Sequence, residues 1–332
     1  MNTVFVTGGS GFVGRNLIRH LKARGDTVRA LARSDAAAAA VRNSGAEAIR
    51  GDLEDFRALR EGLTGCSVVY HAAAEVSEWG PRERFHQINV VGTQTLLTAA
   101  RAAGVKKFVH VSTEAVLVDG TPLKNVNEGR PLPARPLPRY PETKGLAEKC
   151  VVEANSPQME TVVVRPRLIW GAGDTSLLPQ LIKGVNEGSF MWVSGGTFLT
   201  STTHVDNVCE GLMRAADKGR GGQVYFVTDG APVEFRSFLT ALFATQGVVP
   251  KDKRVPHFIA LAFAATCEWL WDSFNLKGHP PATRMAVRLG GEEVTVDDSK
   301  ARRELGYQGK VTREAGLAVM RSAPSPTGRG LG

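Results

Sequence analysis

A phenol and an ammonium stand four residues apart in "RYPETKGLAEK", as Tyr140 and Lys144. On a helix that spacing places both on one face. A free phenol ionises near pH ~10, so tyrosine is a poor acid–base group at neutral pH unless its surroundings change. A neighbouring ammonium favours phenolate and lowers that value. The pair therefore has the makings of a proton donor and its tuner. A second chemical signal comes earlier, where "TGGSGFVG" spaces Gly8, Gly11 and Gly14 as G-x-x-G-x-x-G. Such a turn needs positive φ or a missing side chain, and it lets the backbone approach a pyrophosphate seated on a helix N-terminus.

Both signals need a scaffold, and the first half of the chain alternates in the manner of one. "NTVFVTGG" reads as a buried strand and "FVGRNLIRHLKARG" as a helix closed by Gly25; "DTVRALARS" and "AAAAAVRNSG" repeat the pair. "AEAIRGDL" and "GCSVVYHAAA" are two more strands, followed by a long helix ending near "TLLTAARAAG" and the strand "VKKFVHVST". Strands alternating with helices imply a parallel sheet covered on both faces, an α/β fold of the doubly wound kind. The segment from Asp119 to Arg139 carries five prolines and reads as a surface loop. A helix follows from Tyr140 to about Glu153, and "METVVVRPRLIWG" is another buried strand. Beyond Gly171 the pattern loosens into a smaller lobe over the carboxyl edge of the sheet, with "GQVYFVTDG" as one more sheet strand. The expected domains are 1–166 for the dinucleotide, with a later sheet segment near 201–228, and 167–321 mainly for the substrate. Residues 322–332 have the composition of a disordered end.

The end of the second strand bears on which dinucleotide. An acidic residue there usually bonds the ribose 2′-hydroxyl of NAD. Here Ala32, Arg33 and Ser34 stand in its place. Arg33 can pair with a 2′-phosphate and Ser34 can add a hydrogen bond, while Asp35 is placed to cap the next helix. NADP(H) is favoured, with NAD(H) the other option.

"TGGSGFVG", "GDL", "HAAA", "NVVGT", "VST", "YPETK", "RPRLIWG" and "HVDN" stand in the order and spacing of the extended short-chain dehydrogenase/reductases. The chain resembles that superfamily over roughly residues 2–320, and within it the 3β-hydroxysteroid dehydrogenase-like branch, which "RPRLIWGAGD" and "VDDSKARRELGY" suggest most. The resemblance implies a Rossmann sheet with a smaller C-terminal substrate lobe. It implies nucleotide contacts from Gly8, Ser10, Gly11, Phe12, Val13 and Gly14, and an adenine flanked by Asp52 and Leu53. Ala72, Ala73 and Ala74 would let the adenosine half approach, with Pro166 and Ile169 near the carboxamide and Asn89 as a supporting residue. Tyr140 matches the catalytic tyrosine, and Lys144 its partner and a ligand of the nicotinamide ribose. Thr113 occupies the usual serine position, with Ser112 in reserve. The implied reaction moves hydride between nicotinamide and a carbonyl carbon while Tyr140 handles the proton and Thr113 steadies the oxygen.

Substrate pockets in such sheets lie over the strand carboxyl ends. Trp79 and Trp170 are candidate apolar walls, and Arg167 could meet an acidic head group. "VPHFIALAFAATCEWLWDSF" reads first as a buried helix of the small lobe, with a lid or a membrane-resting face as alternatives. A hydrophobic substrate is expected: a sterol, a long-chain β-keto or β-hydroxy acid, or a terpenoid alcohol. Competing readings are a nucleotide-sugar epimerase or dehydratase and a non-catalytic dinucleotide sensor. In "THVDNV", Asp206 is expected to cap a helix.

Composition narrows the rest. The net charge of +8 is spread without a basic run, which argues against nucleic acid and for solubility and anionic ligands. The four cysteines form no C-x-x-C pair, so neither a metal site nor a disulfide framework is expected, and a reducing, cytoplasmic setting fits. The first residues pass directly into the glycine turn, leaving no room for a signal peptide. The ten-residue apolar run "FIALAFAATC" is too short to span a bilayer, so membrane contact would be peripheral. A homodimer through the Tyr–Lys helix is implied by the resemblance alone.

Overall fold

Short apolar runs become seven parallel strands in the computed structural model, which describes residues 2–322. They are β1 (Thr3–Thr7), β2 (Thr27–Ala32), β3 (Glu47–Arg50), β4 (Val68–His71), β5 (Lys107–Val111), β6 (Glu160–Pro166) and β7 (Gln223–Val227). Their spatial order is β7-β6-β5-β4-β1-β2-β3, so the direction of winding reverses between β1 and β4. Ligands bind at that reversal in open sheets, beyond the strand carboxyl ends.

Alternation within β1 assigns the two faces. Val4 and Val6 enter one core, Phe5 the other. The first core takes Leu17, Ile18 and Leu21 of α1 (Phe12–Ala23) and Val41 of α2 (Asp35–Asn43). Leu59 of α3 (Phe56–Leu63) enters the second. Each fully buried leucine or isoleucine stabilises the fold by about 1.5–3 kcal/mol. The long helix expected after β4 is continuous but uneven: α4 (Arg82–Phe85) widens into a π-helical stretch, His86–Val91, before α5 (Gly92–Ala102). Asn89 sits in the wide turn. Next comes α6 (Tyr140–Glu153), whose Val151 joins the second core.

The remaining helices are α7 (Leu177–Asn186), α8 (Val205–Lys218), α9 (Phe235–Ala244), α10 (His257–Ser273), α11 (Arg284–Gly291), α12 (Ser299–Leu305) and α13 (Arg313–Ser322). Two of them return to the large sheet. Leu212 of α8 and Leu305 of α12 lie in the first core beside Val227 of β7. The sheet segment expected near 201–228 thus has a further companion in α12, and the two lobes interleave along the chain.

Two expectations change. Residues 119–139 are not loop throughout, because Leu123–Val126 is a strand. It pairs in parallel with Val294–Val296 in a four-stranded sheet. The five prolines of the segment all lie outside those four residues, so their N–H groups remain free to pair. Nor is α10 a buried helix. It buries Ala260, Ala264, Cys267 and Glu268, while Phe258, Ile259, Phe263 and Trp269 face outward. Small alanines on the inner side let it pack against Val287 of α11. The expected tail lies, from residue 323 on, outside the described residues.

Candidate functional site

The turn after β1 is built by contacts that admit no side chain. Gly8 has φ +71, and a Cβ there would stand 2.6 Å from the Ala73 nitrogen. A Cβ on Gly14 would meet the Gly8 carbonyl oxygen at 2.1 Å. Gly11 caps α1 with no side-chain acceptor, so the first-turn N–H groups of Phe12, Val13 and Gly14 are left for a ligand. Arg15 closes the turn by donating to the Ser10 carbonyl at 2.9 Å. The Thr7 hydroxyl bonds His71 Nδ1 at 2.7 Å and accepts from the Ala73 N–H, tying β1 to the Ala72–Ala74 turn. A cradle that a methyl group would fill, ahead of a bare helix N-terminus, fits a dinucleotide pyrophosphate.

At the end of β2, Arg33 is exposed and carries no ion pair among the described residues. Ser34, not Asp35, caps α2, accepting from the Ala37 N–H at 3.2 Å. Asp35 is the first helical residue and lies 3.5 Å from Arg50. The β2–β3 register places Arg50 beside Ala32, so a second guanidinium stands near Arg33 that strand-by-strand reading missed. Asp52 is exposed and accepts from the N–H groups of Glu54 and Asp55, while Leu53 is buried against Gly92.

Tyr140 opens α6 and Lys144 follows one turn later, buried. The Lys144 ammonium donates to the Val111 carbonyl at 2.7 Å and lies 3.1 Å from His110 Nε2. Burial pulls its pKa down to about 7, with Glu148 opposing. Burial also raises the Tyr140 phenol, and the Glu114 carboxylate adds to that, while a hydrogen bond with Thr113 opposes both. The expected lowering of the phenol by Lys144 is therefore not what the geometry produces. Val111 and His110 engage the ammonium, and the nearest influential charge on Tyr140 is negative.

The two candidate hydroxyls part company. Ser112 donates to Glu148 at 2.7 Å, and Glu148 is paired with the buried Arg165. Arg165 thus braces α6. Thr113 is the hydroxyl that meets Tyr140; it donates to Glu114 at 2.8 Å and accepts from the Ala115 N–H. Asn89 accepts from the Glu75 N–H at 2.7 Å and donates to Thr143, which holds the loop after β4 against α6.

The substrate-wall expectations do not survive. Arg167 is buried, paired with Glu114 at 2.8 Å and donating to the Leu289 carbonyl, so it is not free for an acidic head group. Trp170 lies wholly inside the small-lobe core, its Nε1–H given to Asp229 at 2.7 Å. Trp79 is buried, with the Arg139 guanidinium 3.4 Å above its ring. Pro166 ends β6 in the interior; Ile169 pairs with Thr203 in a short parallel bridge. His204 rather than Asp206 caps α8, and Asp206 instead bonds His20 of α1 at 2.8 Å.

Arg139 joins the regions. It has φ +68 immediately before Tyr140, stacks on Trp79, donates to the Gly80 carbonyl and pairs with Asp272 of α10 at 2.5 Å. Next to this link an apolar cleft of about 470 Å³ is lined by Leu137, Phe258, Leu261, Ala262 and Ala265, with Arg284 and Arg288 among its other walls. Its lining includes none of Thr113, Tyr140 or Lys144. Sequence reasoning also missed His110 and Glu114, although two ionisable residues inside the apolar run "FVHVSTEAV" were a visible signal.

Comparison with known proteins agrees with this geometry. Residues 5–257 match the model of the 3-beta hydroxysteroid dehydrogenase/isomerase family. The 4-hydroxy-2-methyl-3-oxo-4-farnesyl-3,4-dihydroquinoline-1-oxide ketoreductase of Stigmatella aurantiaca is 54% identical over 98% of this chain and 97% of its own. The 2-alkyl-3-oxoalkanoate reductase of Stenotrophomonas maltophilia is 34% identical over 96% and 98%. Among solved structures, the dTDP-glucose 4,6-dehydratase DesIV from Streptomyces venezuelae, with NAD bound, superposes with TM-score 0.72 at 25% identity, covering 96% of this chain and 95% of that one.

Proposed function

The chain belongs to the 3-beta hydroxysteroid dehydrogenase/isomerase family and is a nicotinamide-dependent oxidoreductase interconverting a hydroxyl and a ketone on a hydrophobic substrate; from that premise we propose that it is an NADP(H)-preferring ketone reductase. The observation that carries the reading is the convergence of Tyr140, Lys144 and Thr113 at the carboxyl end of β5. Its substrate is a ketone beside a polar ring or carboxyl group on a long apolar chain, the chemistry that the two named reductases share. The bound nicotinamide supplies or accepts the hydride. Tyr140 delivers the proton to the nascent alkoxide, and its raised pKa keeps that proton in place until charge develops. Thr113 turns its hydroxyl from Glu114 to the substrate oxygen. Lys144, held by Val111 and His110, retains a donor for the nucleotide ribose. Glycines 8, 11 and 14 with Ser10 seat the pyrophosphate, Asp52 and Leu53 the adenine, and Ala72–Ala74 the adenosine half. Arg33, Ser34 and Arg50 select the 2′-phosphate.

Four free cysteines suit a cytoplasmic home, and among the described residues no helix is long and apolar enough to cross a membrane. A homodimer through α5 and α6 would cover the exposed Leu146. The decisive assay mixes the purified chain with NADPH or NADH and either long-chain 3-oxo compounds or dTDP-glucose, following nucleotide absorbance. Oxidation of NADPH by the apolar ketones is expected. Turnover of the sugar nucleotide alone would move the chain to the epimerase/dehydratase reading.

A further inference from the structure

The outward face of α10 is uncharged for three turns. Phe258, Ile259, Ala262, Phe263, Thr266 and Trp269 all lie on it, with Phe258 72% and Trp269 61% exposed. Just past the helix, Phe274 and Leu276 are exposed as well. The opposite side of α10 already has its partners in Val287 and the residues around it, so the outward aromatics do nothing for the lobe's own core. An apolar patch of this kind on a folded chain marks a surface that something covers.

The charges around the patch say what kind of surface that is. Each acid of this segment is spoken for within the protein. Asp252 pairs with Arg236 and Arg254, Glu268 with Arg284, and Asp272 with Arg139 and Arg82. Lys251 and Lys253 before the helix and Lys277 after it are exposed and carry no ion pair among the described residues. A second copy of the chain suits this pattern poorly. A two-fold axis would bring lysines against lysines whether the two α10 helices ran parallel or antiparallel. Aromatics flanked by lysines on a helix lying flat suit a headgroup layer, where apolar rings sink below the phosphates and ammonium groups stay among them.

We infer that α10 is a docking surface for an anionic lipid bilayer. Phe258 and Ala262 are shared between this face and the wall of the apolar cleft, so the docked surface continues into the protein. That continuity suits the hydrophobic substrate proposed above, but docking does not depend on it.

Flotation of the full-length protein with vesicles tests the inference without any assay of activity. Binding is expected to vesicles enriched in phosphatidylglycerol, and to be weaker with phosphatidylcholine alone or at high salt. Phe263→Glu/Trp269→Glu should weaken partitioning at least about tenfold, and Lys251→Gln/Lys253→Gln/Lys277→Gln by roughly a hundredfold on anionic vesicles. Brominated acyl chains should quench fluorescence in the wild type and not in Trp269→Phe. Retained NADPH affinity and melting temperature would establish that the variants are folded. The inference is overturned by absence of flotation with either vesicle, or by flotation indifferent to the Phe263/Trp269 exchange. It is equally overturned if that exchange instead converts a dimer to monomers in sedimentation.

Discussion

At the nucleotide end, Gly8, Gly14 and Ala73 meet backbone to backbone; around the small lobe, Glu114 meets Arg167 and Arg139 meets Asp272, charge to charge. The first arrangement tolerates no added atom but asks nothing of distant residues. The second joins residues 53 and 133 positions apart, and leaves each partner costly if the other is lost. Binding of a common cofactor thus rests on local sterics, and shaping of a particular substrate site on long-range electrostatic pairing. The Tyr140 helix stands between the two and takes its surroundings from both.

The largest effect should come where both regions converge. Tyr140→Phe is expected to lower kcat by about a thousandfold or more while nucleotide affinity stays within a few-fold, as kinetics with NADPH titration would reveal. Loss of nucleotide binding instead would mean that Tyr140 belongs to the cradle and not to the chemistry. In the steric region, Gly14→Ala forces a methyl group against the Gly8 carbonyl. NADPH binding should fall below detection in fluorescence titration, with the melting temperature lowered. In the charged region, Glu114→Gln leaves the Arg167 guanidinium buried and unpaired, a loss of about 3–5 kcal/mol by urea denaturation. Adding Arg167→Met should recover part of that stability without restoring turnover. Recovery of both would reduce Glu114 to a packing residue.

A smaller, selective effect is expected at the rim. Arg33→Ala should weaken NADPH about tenfold or more and NADH little; equal losses would reject the 2′-phosphate assignment. The slightest signal is in pH. The Lys144 ammonium has a pKa of about 7 in the folded chain against 10.5 free. Between those values the unfolded chain holds more protons, so stability should climb with pH across that window and be lowest below it. The slope attributable to Lys144 is at most about 1.4 kcal/mol per pH unit. Comparing urea midpoints of the nucleotide-free wild type and Lys144→Met would isolate it.

The same division explains what was legible in the sequence. Gly8, Gly11 and Gly14 announce their turn because the constraint acts among neighbours. Tyr140 and Lys144 announce a shared face because helix geometry acts over four residues. The seven strands follow from apolar runs alone. Arg167, by contrast, reads as a free cation until Glu114 is seen beside it, and Trp170 as a wall until Asp229 takes its N–H. Leu123–Val126 hides among prolines because its partner strand lies near residue 294. The exposure of α10 was equally hidden: an apolar helix looks the same on paper whether its aromatics point in or out.

Arg139 gives that division a practical edge. A non-glycine residue held at φ +68 stores about 1–3 kcal/mol of backbone strain, and here Trp79, the Gly80 carbonyl and Asp272 hold it there. Replacement by glycine would relax the backbone and at the same time release the start of the catalytic helix from α10. Selection for thermostability alone would favour that exchange and erode turnover. Arg139 is where an engineer of this enzyme would meet the trade between robustness and rate, outside the catalytic group and one residue ahead of it.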